Sequence, residues 1–335
     1  MKKIRDGLLW ITIFITGLMM MKRCPRGDSA LQLGFYGTSC PNLETIVANR
    51  MQDAINGDSR VAASITRLFF HDCFVQGCDA SVLLDDTSTF TGEKGAVPNV
   101  NSLRGFDVID AIKAQIEAAC PAVVSCADII ALASRDAVSL SGGPNWQVPL
   151  GRRDSRTASL QLANSVLPSP FFNVSVLLSN FAAQGLTARD LVALSGAHTF
   201  GQARCRFFRA RLYNDTGNGD PDPTLNRYYR LVLQDGCPQQ GEGGDDNLAM
   251  LDPYTPTTFD NRYFVNLRIL RGLLPSDQTL YSSTDSSTTQ QVVLSYVNDN
   301  SLFFSDFVTA MLKMGSINPL TGDQGEIRLN CRKIN

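Results

Sequence analysis

Between residues 60 and 74 the apolar positions Val61, Ile65, Leu68 and Phe69 recur at three- and four-residue intervals, which is the spacing of one helical face. The same period runs through Val108, Ile109, Ile112 and Ile116, and again through Phe304, Phe307, Val308, Met311 and Met314 before Gly315. The Met and Phe residues of that last segment read as core. Ser125 with Asp128 can cap a helix through IIALASRDAVSL, which Gly142 and Gly143 stop. Thr187 with Asp190 can cap another through LVAL, broken at Ser195 and Gly196. Strand signals are few and short, no internal repeat is visible, and no long linker divides the chain. The polar stretches 215–223, 235–247 and 282–291 are expected loops. The pattern predicts one mainly α body with two lobes around a ligand.

One apolar run has no polar face. Residues 8–21, LLWITIFITGLMMM, follow Lys2, Lys3 and Arg5. A bilayer span needs about 20 such residues, so the run suits a signal-peptide core better than a membrane anchor. Cleavage is expected near Ala30 to Gln32, leaving residues 32–335 as a single domain with no stable membrane insertion.

Removing the leader changes the charge. Residues 1–30 hold six Lys/Arg and two Asp/Glu of the chain's 30 and 32, so the remainder carries 24 basic and 30 acidic residues, a net −6. An acidic mature chain excludes nucleic acid as an expected partner. At 44% hydrophobic and 19% charged the sequence is globular, not disordered. Of nine cysteines, Cys24 falls in the leader, and an even eight remain. In an exported chain these read as four disulfides, and the absence of any CxxC argues against a metal cluster. Cys73 and Cys78 can close a short loop, but eight cysteines allow 105 pairings and spacing does not choose among them. The sequons at Asn173 and Asn214 fit passage through a secretory pathway.

Only two histidines occur, His71 and His198. His71 lies in RLFFHDCF, four residues after Arg67, so a helix puts both on one face. A permanent cation beside an imidazole depresses its pKa and keeps it available as a base, and stabilises negative charge developing on a substrate. The competing reading is a buried histidine paired with Asp72. His198, in ALSGAHTFGQARC, follows a helix end where a ring nitrogen can stand exposed as a metal ligand or a base.

RLFFHDCFVQGCDASVLL and DLVALSGAHTFGQARC resemble the distal and proximal haem signatures of the class III secreted plant haem peroxidases. The similarity continues through GFYGTSCPN, VSCADI, VPLGRRDS, LPSPFF, TPTTFDNRYF, GLLPSDQ and GEIRLNC, from about Gln32 to Cys331. It implies a mainly α peroxidase fold with one non-covalent haem b between a distal lobe (about 32–160 plus the C-terminal segment) and a proximal lobe (about 161–300). It implies His71 as acid/base, Arg67 as its cationic partner, Asn99 as the acceptor orienting His71, and Phe70 as a shield over the oxygen. His198 becomes the axial ligand, Asp277 its carboxylate partner, and Pro168 a docking position for aromatic donors. It further implies two calcium ions. One is held by Asp72, Val75, Gly77, Asp79, Ser81 and Glu93, the other by Thr199, Asp252, Thr255, Thr258 and Asp260. No EF-hand spacing is present. The implied disulfides are Cys40–Cys120, Cys73–Cys78, Cys126–Cys331 and Cys205–Cys237.

The expected activity is therefore reduction of hydrogen peroxide to water with one-electron oxidation of phenolic donors, by a monomer. The physiological donor stays open among cell-wall phenols, auxin and similar small aromatics. Only RKIN follows Cys331, with no vacuolar extension, so the extracellular space or cell wall is the expected location. Two other classes compete. A catalytically silent haem- or calcium-binding protein is disfavoured because every implied catalytic position is filled. A zinc or serine hydrolase is disfavoured because HExxH and GxSxG are missing and two histidines leave too few ligands.

Overall fold

Ser125, Ser159, Asn173, Thr187, Asn226 and Asp299 cap helix starts with their side chains, and Gly196 and Gly315 follow two helix ends. The computed structural model describes residues 31–239 and 243–335; the apolar leader and Cys24 lie outside the described residues. In chain order the helices are α1 (Leu43–Gly57), α2 (Arg60–Phe74), α3 (Phe106–Ala119), α4 (Cys126–Leu140), α5 (Leu160–Val166), α6 (Val174–Ala183), α7 (Ala188–Ser195), α8 (Arg209–Tyr213), α9 (Arg227–Gly236), α10 (Arg262–Arg268), α11 (Pro275–Ser282), α12 (Ser287–Asn298) and α13 (Asn300–Met314). Two short strands, β1 (Gln202–Arg204) and β2 (Leu248–Met250), pair antiparallel with Ala203 opposite Ala249. None of the described helices is long and apolar enough to cross a membrane.

The expected α2, α3, α4, α7 and α13 all form. One expectation differs, and one residue does more than its spacing shows. The serine-, threonine- and glutamine-rich stretch 282–291 is not all loop, because α12 begins at Ser287 and buries Thr289, Val292, Val293 and Tyr296. The polar residues preceding that face hide its period. At α4, Ser125 Oγ does accept the Asp128 amide at 3.1 Å, but the Asp128 carboxylate does not return the bond. It is fully buried and takes the Tyr36 hydroxyl (2.9 Å), the Gly151 amide (2.7 Å) and the Arg152 guanidinium (2.9 Å) instead.

α2 packs chiefly on α4, and α4 in turn contacts α1 and α3. α7 packs on α12 and α13, and α10 on α11 and α12. One large apolar core runs continuously from Tyr36 to Cys331 through both groups, and a smaller one gathers Phe208, Leu212, Tyr229, Leu233 and Leu273 around α8 and α9. Where the groups meet, Gly201 adopts φ +93, and a Cβ there would stand 2.8 Å from Ala63 Cβ on α2. Only glycine lets the segment after His198 come that close. Among the described residues four disulfides join Cys40–Cys120, Cys73–Cys78, Cys126–Cys331 and Cys205–Cys237, the pairs the resemblance implies. Cys126–Cys331 spans 205 residues and fastens the C-terminal segment to the start of α4.

Candidate active site

α2 is anchored by Val61, Ile65, Leu68 and Phe69, all buried, and this sets the adjoining face carrying Arg67 and His71. Arg67 Nη2 donates to the Pro98 carbonyl at 2.8 Å and to Ser102 Oγ at 3.1 Å. His71 Nδ1 lies 2.6 Å from Asn99 Oδ1, and Asn99 Nδ2 donates to the Glu93 carbonyl at 2.9 Å. That second bond fixes the amide orientation, so Asn99 presents oxygen and His71 carries its proton on Nδ1. Nε2 is left as the basic nitrogen. The reading that pairs His71 with Asp72 is not what forms, since Asp72 Oδ2 accepts the Ala80 amide at 3.0 Å.

Burial first, and the Arg67 charge second, hold the His71 imidazole well below its usual pKa, with the Asn99 bond opposing them. Burial lowers the Arg67 guanidinium to about 10, which leaves it charged at neutral pH. The Phe70 ring lies 4.1 Å from Phe74, 5.9 Å from His71 and 6.2 Å from Phe181 of α6, an aromatic wall beside the histidine.

On the opposite side, Thr187 and Asp190 form a complete capping box that starts α7. α7 ends where Gly196 packs against Phe303 and Phe264, and the chain turns through a single tight turn carrying His198. His198 Nδ1 lies 2.7 Å from Asp277 Oδ1. Asp277 is the third residue of α11, and its Oδ2 accepts the Leu274 amide at 3.2 Å. The His198 side chain is 38% exposed and Asp277 only 3%, so the pair offers Nε2 outward and keeps the carboxylate dry. These are features an axial iron ligand needs. Tyr263 was not singled out from the sequence, yet its hydroxyl donates to Asp277 Oδ1 at 3.1 Å. The TPTTFDNRYF motif contained it, but no local period links α10 to α11. Burial, then the Asp277 charge, push the Tyr263 phenol well above its usual value, so it remains a donor.

The first cation set converges. Asp72, Asp79, Ser81 and Glu93 are all buried, and Asp72 Oδ1, Ser81 Oγ and Glu93 Oε2 have no hydrogen-bond partner. Burial raises Asp72 well above the usual carboxylate range, with the Asp79 charge adding to it, and burial chiefly raises Asp79 to about 6 and Glu93 to about 7. Orphaned, crowded oxygens of this kind fit a hard cation. Among the described residues no three His, Cys, Asp or Glu side chains gather into a metal centre by themselves. Ser81 Oγ adds a hydroxyl oxygen to the carboxylates, and Val75 and Gly77, which the resemblance adds through their carbonyls, lie in the loop between Asp72 and Asp79. Gly77, at φ +129, has the Asn318 backbone where a side chain would go.

The second set is closed on itself. Thr199 Oγ1 donates to Asp260 Oδ1 at 2.9 Å, while Asp252 accepts Thr255 Oγ1 at 2.6 Å and Asn266 Nδ2 at 2.9 Å. Thr258 is exposed and joins Thr255 only through its amide, at 3.0 Å to the Thr255 carbonyl. Pro168 is half-buried, and Asn173 and Asn214 are exposed. A surface cavity of about 720 Å³, lined by Arg50, Asp58, Arg104, Phe106 and Arg332, contains neither histidine.

A protein-family model described as Peroxidase matches residues 47–299. The chain is 56% identical over 313 residues to Peroxidase 4 of Vitis vinifera, covering 92% of this chain and 94% of that one. It is 54% identical over 309 residues to Peroxidase 15 of Ipomoea batatas, covering 92% and 94%. It is 54% identical over 305 residues to Peroxidase P7 of Brassica rapa subsp. rapa, covering 91% and 100%.

Proposed function

The chain belongs to the peroxidase family of plant haem enzymes, and from that premise we propose that it is a secreted, monomeric enzyme that reduces hydrogen peroxide while oxidising phenolic donors in single-electron steps. One observation carries the assignment of roles. Both imidazoles are bound at Nδ1, His71 by the neutral amide of Asn99 and His198 by the charged carboxylate of Asp277. Each therefore has Nε2 left for chemistry, but the two nitrogens differ in character. A neutral acceptor leaves His71 a moderate base that can take a proton and give it back. A carboxylate acceptor draws the His198 proton and makes that ring the stronger metal ligand.

His198 would hold the iron of one non-covalent haem b, with Asp277 behind it. Haem, when bound, supplies a redox-active iron that takes two oxidising equivalents from peroxide and passes them on one at a time. His71 Nε2 accepts a proton from the bound peroxide and delivers it to the departing oxygen, which leaves as water. The Arg67 charge stabilises the negative charge that separates as the oxygen–oxygen bond breaks. Asn99 holds His71 in the required tautomer. Phe70 walls the peroxide side, which favours electron transfer over oxygen insertion, and Pro168 docks aromatic donors at the opening.

The orphaned oxygens support a calcium ion at Asp72, Val75, Gly77, Asp79, Ser81 and Glu93. A second, at Thr199, Asp252, Thr255, Thr258 and Asp260, follows from the family resemblance and would replace the bonds that Thr199 and Thr255 now give to Asp260 and Asp252. Glu93 contributes both an orphaned carboxylate oxygen and the carbonyl that holds Asn99, so the first cation would brace His71 indirectly. The lobe division, with about 32–160 and the C-terminal segment on the His71 side, follows the same reading. The apolar leader, the four disulfides and the sequons at Asn173 and Asn214 support export to the extracellular space or cell wall.

A visible spectrum before and after one equivalent of hydrogen peroxide tests the proposal. A Soret band that shifts, then recovers when a phenol is added, is the expected result. A band unmoved by peroxide would make the protein a silent haem carrier.

A further inference from the structure

Asp277 receives three hydrogen bonds, and two of them reach the same oxygen. His198 Nδ1 lies 2.7 Å from Oδ1, and the Tyr263 hydroxyl donates to that atom over 3.1 Å. The Leu274 amide holds Oδ2 at 3.2 Å. The carboxylate is 3% exposed, so water does not replace a missing donor. Tyr263 is itself buried, and packing aims its hydroxyl. Its ring stands edge-on to His198, with centroids 6.2 Å apart, and edge-on to Phe264 at 5.0 Å. The three groups come from separate elements: the turn after α7, α10 and α11.

We propose that Tyr263 is a positioning residue of the peroxidase reaction, whose hydroxyl limits how much negative charge Asp277 confers on His198. The inference rests on the reading of His198 as the axial ligand. Two donors on one carboxylate oxygen share its electron density, so each weakens the acceptor seen by the other. With the phenol bound, Asp277 is a poorer acceptor for the His198 proton and the imidazole stays closer to neutral. Without it, the carboxylate draws the proton further, and the ring becomes a more anionic ligand that favours ferric over ferrous iron. A purely structural tyrosine would alter stability and leave the iron's properties where they were.

The test is made on the haem-loaded enzyme. Tyr263→Phe removes the hydroxyl and keeps the ring. A ring-fluorinated tyrosine at position 263 keeps the shape and makes the hydroxyl a stronger donor. Two readouts apply, the ferric/ferrous midpoint potential and the iron–imidazole stretching frequency of the ferrous protein by resonance Raman. Tyr263→Phe should lower the potential and raise the stretching frequency. The fluorinated side chain should move both in the opposite directions. Shifts of the same sign in the two variants, or no shift in either, overturn the proposal. If Tyr263→Phe fails to fold or to load haem, the sign of the fluorinated arm decides alone. An unsubstituted enzyme with no iron–imidazole band would overturn the His198 assignment and this inference together. A band that is present but unmoved by both substitutions overturns this inference only.

Discussion

Replacing Arg67 by leucine removes the charge that, after burial, does most to depress the His71 imidazole. Neutral His71 is the active base, and a lowered pKa keeps it neutral far into acid. Without Arg67 that pKa rises toward the ordinary value near 6.5, so the acid limb of the peroxide step should move to higher pH. The rate on the plateau should also fall about 10²–10³-fold, the usual cost of removing one electrostatic stabiliser. Stopped-flow measurement across pH reads both effects, and an unmoved acid limb would remove Arg67 from this role. The two histidines should fail differently. His71→Ala should keep its Soret band and slow the peroxide step about 10²–10⁴-fold, whereas His198→Ala should lose haem. Equal haem loss in both variants would contradict their separate assignments. At this scale the i, i+4 pair Arg67 and His71 was legible because one helix face is a local fact. Tyr263 was not, because it meets Asp277 only after α10 and α11 pack.

Individual elements carry their own constraints. The turn holding His198 depends on Gly196, where a Cβ would stand 2.5 Å from the Phe303 ring and 2.8 Å from the Phe264 ring. Both rings are fully buried and cannot retreat. Gly196→Ala should therefore cost about 1–3 kcal/mol by overpacking and weaken haem retention through displacement of His198 two residues on. Denaturant unfolding with parallel haem titration would show it; a variant with unchanged stability and loading would mean the rings adapt. The Thr187–Asp190 box that starts α7 could be read from the chain because its partners are three residues apart. The start of α12 could not, since its first turn is polar and only the packed side chains Val292, Val293 and Tyr296 reveal the face. Asp128 is instructive in the same way. Its spacing from Ser125 marked the cap, which forms, but the use of its carboxylate was not legible, because Tyr36, Gly151 and Arg152 arrive from elsewhere and claim it.

At the scale of the whole molecule, the first cation set joins the end of α2, the loop after it and the segment that orients Asn99. If the proposed calcium occupies this set, stripping it should leave Asp72, Asp79 and Glu93 buried around orphaned oxygens, with the Arg328 charge as the counter-charge felt by all three. Chelation should lower thermal stability, by about 4 kcal/mol relative to a thousandfold excess of calcium over its dissociation constant. It should also slow peroxide reduction, and calcium should restore both where magnesium does not. A chelated enzyme that has lost its calcium yet keeps its melting temperature and rate would break the link between that site and His71. The Cys126–Cys331 bond works on the same scale, holding the C-terminal segment to α4 across 205 residues.

The five strongly periodic helices, the Thr187–Asp190 box and the paired Arg67 and His71 were written in the chain itself, because each depends on neighbours within a turn or two. The even set of eight cysteines was legible as a count, though not as pairs. The long signature motifs added the chemistry, since their residue types in that order belong to one kind of enzyme. Which oxygens would be left without partners around Asp72, Ser81 and Glu93 depended on packing. So did which nitrogen of each histidine remains available, and the meeting of a second donor with Asp277. Many of those outcomes rest on contacts across the chain, 14 positions for Tyr263 with Asp277 and 79 for His198 with Asp277. A one-dimensional pattern carries no record of such contacts, because they form only when separate helices share a buried carboxylate that must be satisfied from every side.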